Sequence, residues 1–446
     1  MKSYLPFYKR NLKVAIPVTL TQLGGGIVSV VDNIMVGHLG AYELGAAAFA
    51  NSIFIMAFVF VTGAVMGLTP IVGEYFVKND KQQIGVYLQN SLLFTVLLGV
   101  FVSILLIICY PLMDHMGQDP RVIELARPYF ITQVISLIPF LFFCTFKQFL
   151  EGLGNTKVAM IITLAVNVVN IILNYLLIYG KFGFPSWGVF GAGVATLIAR
   201  TLMPILFFIV LKRNAEWWKY FHEFSWNKFS KRITLKLTKM GVPIGMHFML
   251  ETGAFAISAV MVGWIGVIEL AGNQVTMSVG HLAFQIVLAI GMATTIRVSH
   301  QKGLGDMYGL RMASRASVHL TLFVSSSVGA MLILLRNYIP YIYTSDPEVI
   351  AVTSHLLVFA GLFQISDGLQ AVGAGILRGL SDVNTLMKNA FLSYFCINIP
   401  LAYVMAFVFD WGASGIWLGL IVGLSVAAYL FHRRCWKRIS MLEGRE

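Results

Sequence analysis

Met35-Val36-Gly37-His38-Leu39-Gly40 and Met261-Val262-Gly263-Trp264-Ile265-Gly266 read as two copies of one block. The same offset recurs along the chain. Glu43-Leu44 answers Glu269-Leu270, and Asp119-Pro120 answers Asp346-Pro347. Leu150-Glu151-Gly152-Leu153 answers Leu377-Arg378-Gly379-Leu380, and Trp187-Gly188 answers Trp411-Gly412. Five matches in one order at nearly constant spacing describe a chain built as two similar halves.

Each half is made of membrane helices. The chain has 446 residues, 58% of them hydrophobic and only 12% charged, with a mean hydropathy of +0.78. A soluble domain carries about 25% charged residues. Unbroken apolar runs such as Val158–Tyr179 and Ala316–Leu335 match the ~20 residues that cross a hydrocarbon core as α-helix. The short alternating segments of a β-barrel are not visible. The runs predict an all-α integral membrane protein with spans at 13–34, 44–69, 88–112, 127–150, 158–180, 188–211, 240–264, 270–298, 316–339, 352–377, 387–409 and 412–433. That divides the chain into an amino-terminal lobe (1–211), a linker (212–239) and a carboxy-terminal lobe (240–446). An even number of spans per half makes the repeats parallel, related by an axis along the membrane normal. Two such lobes can enclose a cleft and open it to either side by rocking.

The net charge of +12 is topological rather than a nucleic-acid footprint. Lysines and arginines gather in alternate loops: Lys9 and Arg10, Lys78 and Lys81, the linker, Arg311 and Arg315, Arg378 and Lys388, and the tail Arg433-Arg434. The positive-inside rule puts these loops and both termini in the cytoplasm. Lys9, Arg10 and Lys13 precede a long first span with no small-residue cleavage site, so that span is expected to remain as a helix. The linker's Trp217, Trp218, Tyr220, Phe221, Phe224 and Trp226 suit an amphipathic segment in the interface, or a lipid-binding one. Cys109, Cys144, Cys396 and Cys435 have no metal-ligand spacing and read as packing residues.

Ionisable residues inside spans carry the functional signal, because each costs about 2.5–3.5 kcal/mol at a helix centre on insertion scales. Three acids qualify: Asp32 in the first span, Glu251 in the seventh and Asp367 in the tenth. Their repeat partners fall near Ser258, Gly25 and Phe140, so none is duplicated. Each acid binds a cation, or else satisfies a neighbour such as His247. Arg200 in the sixth span either pairs with an acid or packs between helices. Asn170, Asn174 and Thr196 offer oxygens near Asp32, for a hard cation or for helix–helix hydrogen bonds. Gly24-Gly25-Gly26 allows close packing or a bend. No Walker A, dinucleotide fingerprint, HExxH or GxSxG motif is present, so an enzyme is not expected and a pump would be ion-driven.

Three blocks carry a specific resemblance: Val31-Asp32-Asn33-Ile34-Met35-Val36-Gly37-His38-Leu39-Gly40, Glu151-Gly152-Leu153-Gly154-Asn155-Thr156 and Leu377-Arg378-Gly379-Leu380-Ser381-Asp382. Over essentially its full length the chain resembles the multidrug and toxic compound extrusion (MATE) family, in its NorM-like branch. The resemblance implies two six-helix bundles in a bacterial inner membrane and export of organic cations by a monomer in exchange for Na+ or H+, without a cofactor. It assigns Glu251 and Asp367 to a carboxy-lobe cation site, and Asp32, Asn170, Asn174 and Thr196 to an amino-lobe polar cluster. Asp32, Glu251 and Asp367 are then also the substrate-binding acids, and Glu251 with Asp367 the Na+ ligands. Some relatives have an aspartate where this chain has Asn174, which leaves less negative charge in the amino lobe. The rival expectation is a flippase for a lipid-linked or phosphorylated precursor, which needs several arginines or lysines facing phosphate. A membrane receptor or enzyme is the third.

Overall fold

A computed structural model describes residues 4–444. Among the described residues every regular element is helical: α1 (Leu5–Gly37), α2 (Ala41–Val65), α3 (Leu68–Val77), α4 (Lys81–Cys109), α5 (Pro120–Gly152), α6 (Lys157–Tyr179), α7 (Gly188–Arg213), α8 (Ala215–Trp218), α9 (Lys231–Ile265), α10 (Val267–Leu304), α11 (Met307–Leu334), α12 (Pro347–Gly379), α13 (Val383–Phe391), α14 (Ile399–Tyr403) and α15 (Gly412–Glu443). Twelve helical stretches are long and apolar enough to cross a membrane, with α2–α3 counting as one and 383–408 as another. Their outward faces are apolar, as Leu97, Phe101, Ile104 and Ile108 of α4 illustrate. Such a surface suits lipid, in which a helix satisfies its own backbone.

The repeated residues turn out to be helix punctuation. Asp119 and Asp346 are the N-caps of α5 and α12; Asp119 Oδ1 accepts from Arg121 N at 2.8 Å and Asp346 Oδ1 from Glu348 N at 2.9 Å. The following proline occupies the first turn, where its missing N–H costs nothing. Glu43 and Glu269, three residues into α2 and α10, fold back over the N-cap glycines Gly40 and Gly266. Gly40 has φ +147 and a β-carbon there would lie 2.6 Å from Glu43 Oε2, so this turn requires glycine. Gly152 closes α5 against Val72 and Gly379 closes α12 against Val298, in each case with no room for a β-carbon.

The chain folds as two compact units, one of residues 20–245 and one that joins the chain through Thr19 to Met246 onward. The division differs from the expected breaks at 211 and 240 because the first helix of each half is shared out. The start of α1 packs in the carboxy-terminal unit: Asn11 Nδ2 donates to Ser317 Oγ at 2.9 Å and to Ala313 O at 3.2 Å. The start of α9 packs in the amino-terminal unit: Lys236 Nζ donates to Tyr87 OH at 2.8 Å, and Gly241 sits against the Ala64 carbonyl.

The linker is not one amphipathic helix. It runs from the end of α7 through α8 and two short 3-10 turns, Phe221–Glu223 and Trp226–Lys228, into the first turns of α9. Two side-chain amides of α4 bind its backbone. Gln89 donates to Ser225 O at 2.8 Å and accepts from Ser225 N at 3.0 Å. Asn90 donates to Lys228 O at 3.0 Å and accepts from Ser230 N at 2.9 Å. Each amide thus substitutes for the helix partners this backbone lacks.

The stretch 383–408 is irregular. Pro400 lies at the start of α14, between π-helical turns at Leu392–Asn398 and Val404–Val408. Proline removes a ladder donor, and wider turns are one way a helix accommodates that loss.

Candidate functional site

In the amino-terminal unit Asp32 lies late in α1 and is half-buried. Asn174 Nδ2 donates to Asp32 Oδ1 and also lies 3.3 Å from Asn170 Oδ1. The two asparagines share a face of α6 because they are one turn apart. Tyr179 OH donates to Met35 O at 2.8 Å and ties the end of α6 to the same stretch of α1. Asp32, Asn170 and Asn174 therefore gather as the sequence suggested. Thr196 does not join them by hydrogen bond. It shares a face of α7 with Gly193, which abuts Thr132, and Arg200, which bonds Gln133; that face is turned to α5.

Arg200 is held rather than paired. Its Nη1 donates to Gln133 Oε1 at 2.8 Å and to Ser136 Oγ at 2.7 Å. The guanidinium lies 5.7, 5.1 and 5.2 Å from the ring centroids of Phe54, Phe58 and Phe140. Three rings at that range form a cation–π box. Asp32 is close enough to interact with it electrostatically, so the formal charges of Asp32 and Arg200 balance. A further buried pair, Lys147 and Glu151, stands one turn apart on α5 with Nζ and Oε1 3.8 Å apart. Lys147 falls inside the expected span 127–150 and Glu151 just beyond its end, both within α5.

The carboxy-terminal unit holds Glu251 and Asp367, 6% and 1% exposed. They are close enough to interact electrostatically. Gln370, one turn after Asp367 on α12, donates its Nε2 to Glu251 Oε1. Tyr394 OH in turn donates to Gln370 Oε1 at 3.1 Å. Glu251 is thus satisfied by an amide and not by His247, whose ring nitrogens both lack a partner. Gln370 was detectable in the sequence, as an amide on the face of Asp367. Tyr394 was not, because nothing local points it at α12.

Arg378 corrects the loop assignment. It belongs to the last turn of α12, is 1% exposed, and lies over the Phe248 ring at 5.6 Å. Its Nε lies 3.4 Å from Thr295 Oγ1, and it interacts electrostatically with Glu251. Two carboxyls against one guanidinium leave one negative charge. One proton or one monovalent cation would neutralise it, since a buried charge without a partner is strongly disfavoured.

Oxygen donors for such a cation are present. Asp367 Oδ1 has no hydrogen-bond partner, and neither end of the fully buried Gln364 amide, one turn earlier on α12, has one either. A small hard cation takes carboxylate, amide and water oxygens of this kind. Among the described residues no three His, Cys, Asp or Glu side chains form a denser metal cluster.

The MatE family model matches residues 17–176 and 243–404, one match in each half. "Multidrug resistance protein NorM" of Photobacterium profundum is 32% identical over 97% of this chain and 96% of its own length. "Probable multidrug resistance protein NorM" of Bacillus subtilis is also 32% identical, over 95% of this chain and 94% of its own. Among solved structures, the eukaryotic MATE transporter AtDTX14 matches with a TM-score of 0.89 at 22% identity, covering 99% of both chains. A multidrug resistance MATE family transporter in an outward-facing conformation matches with a TM-score of 0.90 at 20% identity, over 98% of this chain and 97% of the other. These two likenesses establish the fold.

Proposed function

Because this chain belongs to the MatE family, we propose that it is a secondary active efflux antiporter, exporting organic cations and amphipathic drugs in exchange for Na+ or H+. The observation that carries this reading is the charge of the carboxy-terminal unit. Glu251 and Asp367 exceed Arg378 by one negative charge, whereas Asp32 and Arg200 balance. One coupling cation, held at Glu251 and Asp367, therefore exchanges with a cationic substrate. Asp32 and its asparagines serve the amino-terminal lobe as a weaker polar contact for substrate. By alternating access the site then meets one side of the membrane at a time. In this reading the protein is a monomer in a bacterial inner membrane, with both termini and the linker in the cytoplasm. Exchange of one monovalent cation for one monovalent cationic substrate moves no net charge, so the concentration gradient of the coupling cation drives export, each tenfold being worth ~1.4 kcal/mol.

The flippase alternative needs arginines offered to phosphate. Arg200 is committed to Gln133, Ser136 and three phenylalanines, and Arg378 to Thr295, Phe248 and the field of Glu251. The antiporter is tested with the purified protein in vesicles that carry a fluorescent organic cation. Efflux should follow an imposed Na+ or H+ gradient and stop in Glu251→Gln and Asp367→Asn. Efflux indifferent to both gradients overturns the coupling. Two active single variants overturn the site.

A further inference from the structure

We propose that the amino-terminal unit holds one anionic phospholipid, with an acyl chain in a groove between α5 and α7 and the phosphate at Lys212 and Arg213. The site is separate from the buried acids and goes beyond the antiporter reading.

The groove has a volume of about 390 Å³, within the range of ligand pockets, about 300–1,000 Å³. Pro139 and Phe146 of α5 and Pro204, Ile205, Phe208 and Ile209 of α7 line it. A proline inside a helix breaks the ladder and bends the axis, and each of these two helices carries one at the groove. Thr201 brings the lining's one hydroxyl and spends its hydrogen on Leu197 O at 2.7 Å. The walls are therefore apolar. Ile205, Phe208 and Ile209 are nevertheless 50%, 41% and 40% exposed. Apolar side chains so exposed within a span suit an acyl chain and not water.

Positive charge stands at one end of it. Ile205, Phe208, Ile209 and Lys212 follow one another at helical steps, so Lys212 continues the groove face of α7 by one turn. Arg213 is next to it, and both are exposed. Among the described residues, neither forms an ion pair. The linker's Lys219 and Lys228 are by contrast neutralised by Glu216 and Glu223. Aromatic rings of the linker stand at the same end: Trp218 meets Phe208 edge-on at 5.7 Å and stacks on Phe221 at 4.7 Å. Tryptophan favours the headgroup level of a bilayer, and the bonds from Gln89 and Asn90 hold the linker to α4. Lipid tails are as apolar as the groove, so a chain seated there gains packing but no transfer free energy. Selectivity must come from the headgroup, whose phosphate a lysine and an arginine meet with charge-assisted hydrogen bonds. An anionic lipid satisfies both ends. A free anion leaves the groove unfilled, and a zwitterionic lipid brings its own ammonium to the two cations.

Native mass spectrometry of the purified, delipidated full-length protein measures the dissociation constant of the first lipid bound. Dioleoyl phosphatidylglycerol should bind about 25-fold tighter than dioleoyl phosphatidylcholine, about fivefold for each of two basic residues near an anionic headgroup. Lys212→Gln combined with Arg213→Gln should bring the two lipids to equal affinity. Lys388→Gln combined with Lys437→Gln removes two exposed lysines of the carboxy-terminal unit and should leave the ratio unchanged. Ile205→Trp fills the groove from its exposed rim, and should weaken both lipids by the same factor while keeping their ratio. Inorganic phosphate, at an ionic strength matched with chloride, should displace neither. Equal binding of the two lipids by the wild type overturns the site, as does a ratio unmoved by the Lys212 and Arg213 changes or lost equally with those at Lys388 and Lys437. Undiminished binding in Ile205→Trp, or displacement by phosphate, overturns it as well. No transport is measured, so these outcomes stand apart from success or failure of the antiporter reading.

Discussion

Arg200→Met tests whether the amino-terminal unit depends on a buried guanidinium. Gln133 is 4% exposed and Ser136 0%. Ser136 Oγ keeps a second partner, Gln133 O at 2.7 Å, but Gln133 Oε1 is left without its donor. That orphaned acceptor costs ~1–3 kcal/mol. Three cation–π contacts at 5.1–5.7 Å are lost as well, worth ~0.5–1 kcal/mol each. Asp32 also loses its balancing charge. Against this stands the relief of no longer burying a guanidinium, which recovers part of the loss. The net expectation is a destabilisation of ~2–4 kcal/mol, or roughly 5–15 °C in melting temperature for a unit of this size. Thermal unfolding monitored by size-exclusion chromatography measures it. Arg200→Lys keeps the charge but not the planar fork, and should fall between wild type and Met. Adding Asp32→Asn to Arg200→Met should restore part of the loss, because the uncompensated carboxylate is then removed. A Met variant that melts with the wild type would refute the reasoning and make the phenylalanine box ordinary packing.

Three further outcomes follow from the same structure. In gradient-driven efflux, Glu251→Gln and Asp367→Asn should each reduce transport to background, whereas Asp32→Asn should weaken drug affinity more than ion coupling; the ratio of KM to kcat effects distinguishes them. Asn90→Leu orphans Lys228 O and Ser230 N together, should cost ~2–4 kcal/mol locally, and should be read as faster tryptic cleavage after Lys228 and Lys231, at a rate unchanged if the linker is not held to α4. Burial pushes the Asp382 carboxyl up, but hydrogen bonds from Arg434 and Thr385 outweigh it and hold the group below its ordinary value of 3.8. Its stabilisation is therefore complete above 3.8 and lost as pH falls through the lower folded value, so Asp382→Asn should differ from wild type at neutral pH and converge with it in acid; a constant difference across that range removes the clamp at 2.6 Å between Arg434 and Asp382.

The twelve spans were legible because lipid demands long apolar runs, and helices are the way a single segment satisfies its backbone there. The repeat was legible because its shared residues, Gly40 and Gly266, Asp119 and Asp346, Gly152 and Gly379, serve helix ends, where local backbone chemistry dictates the residue. Asp32, Glu251 and Asp367 announced themselves because a charge inside an apolar run is costly enough to need a reason.

What the sequence could not determine is which helix faces meet. Gln370 and Tyr394 become neighbours only when 383–408 packs beside α12, and a π-helical register places the tyrosine. Arg378 looked like a loop charge because the apolar run ends before it; α12 continues to Gly379 and buries it beside Thr295. Thr196 had the right chemistry but stands on the face of α7 turned to α5. The start of α1 and the start of α9 leave the halves to which their numbers assign them, since hydrogen bonds such as Asn11 to Ser317 and Lys236 to Tyr87 depend on close approach in space. Apolar length and helix punctuation are local properties, so one sequence suffices to read them; partners for buried polar groups come from distant segments, so only the packed helices decide them.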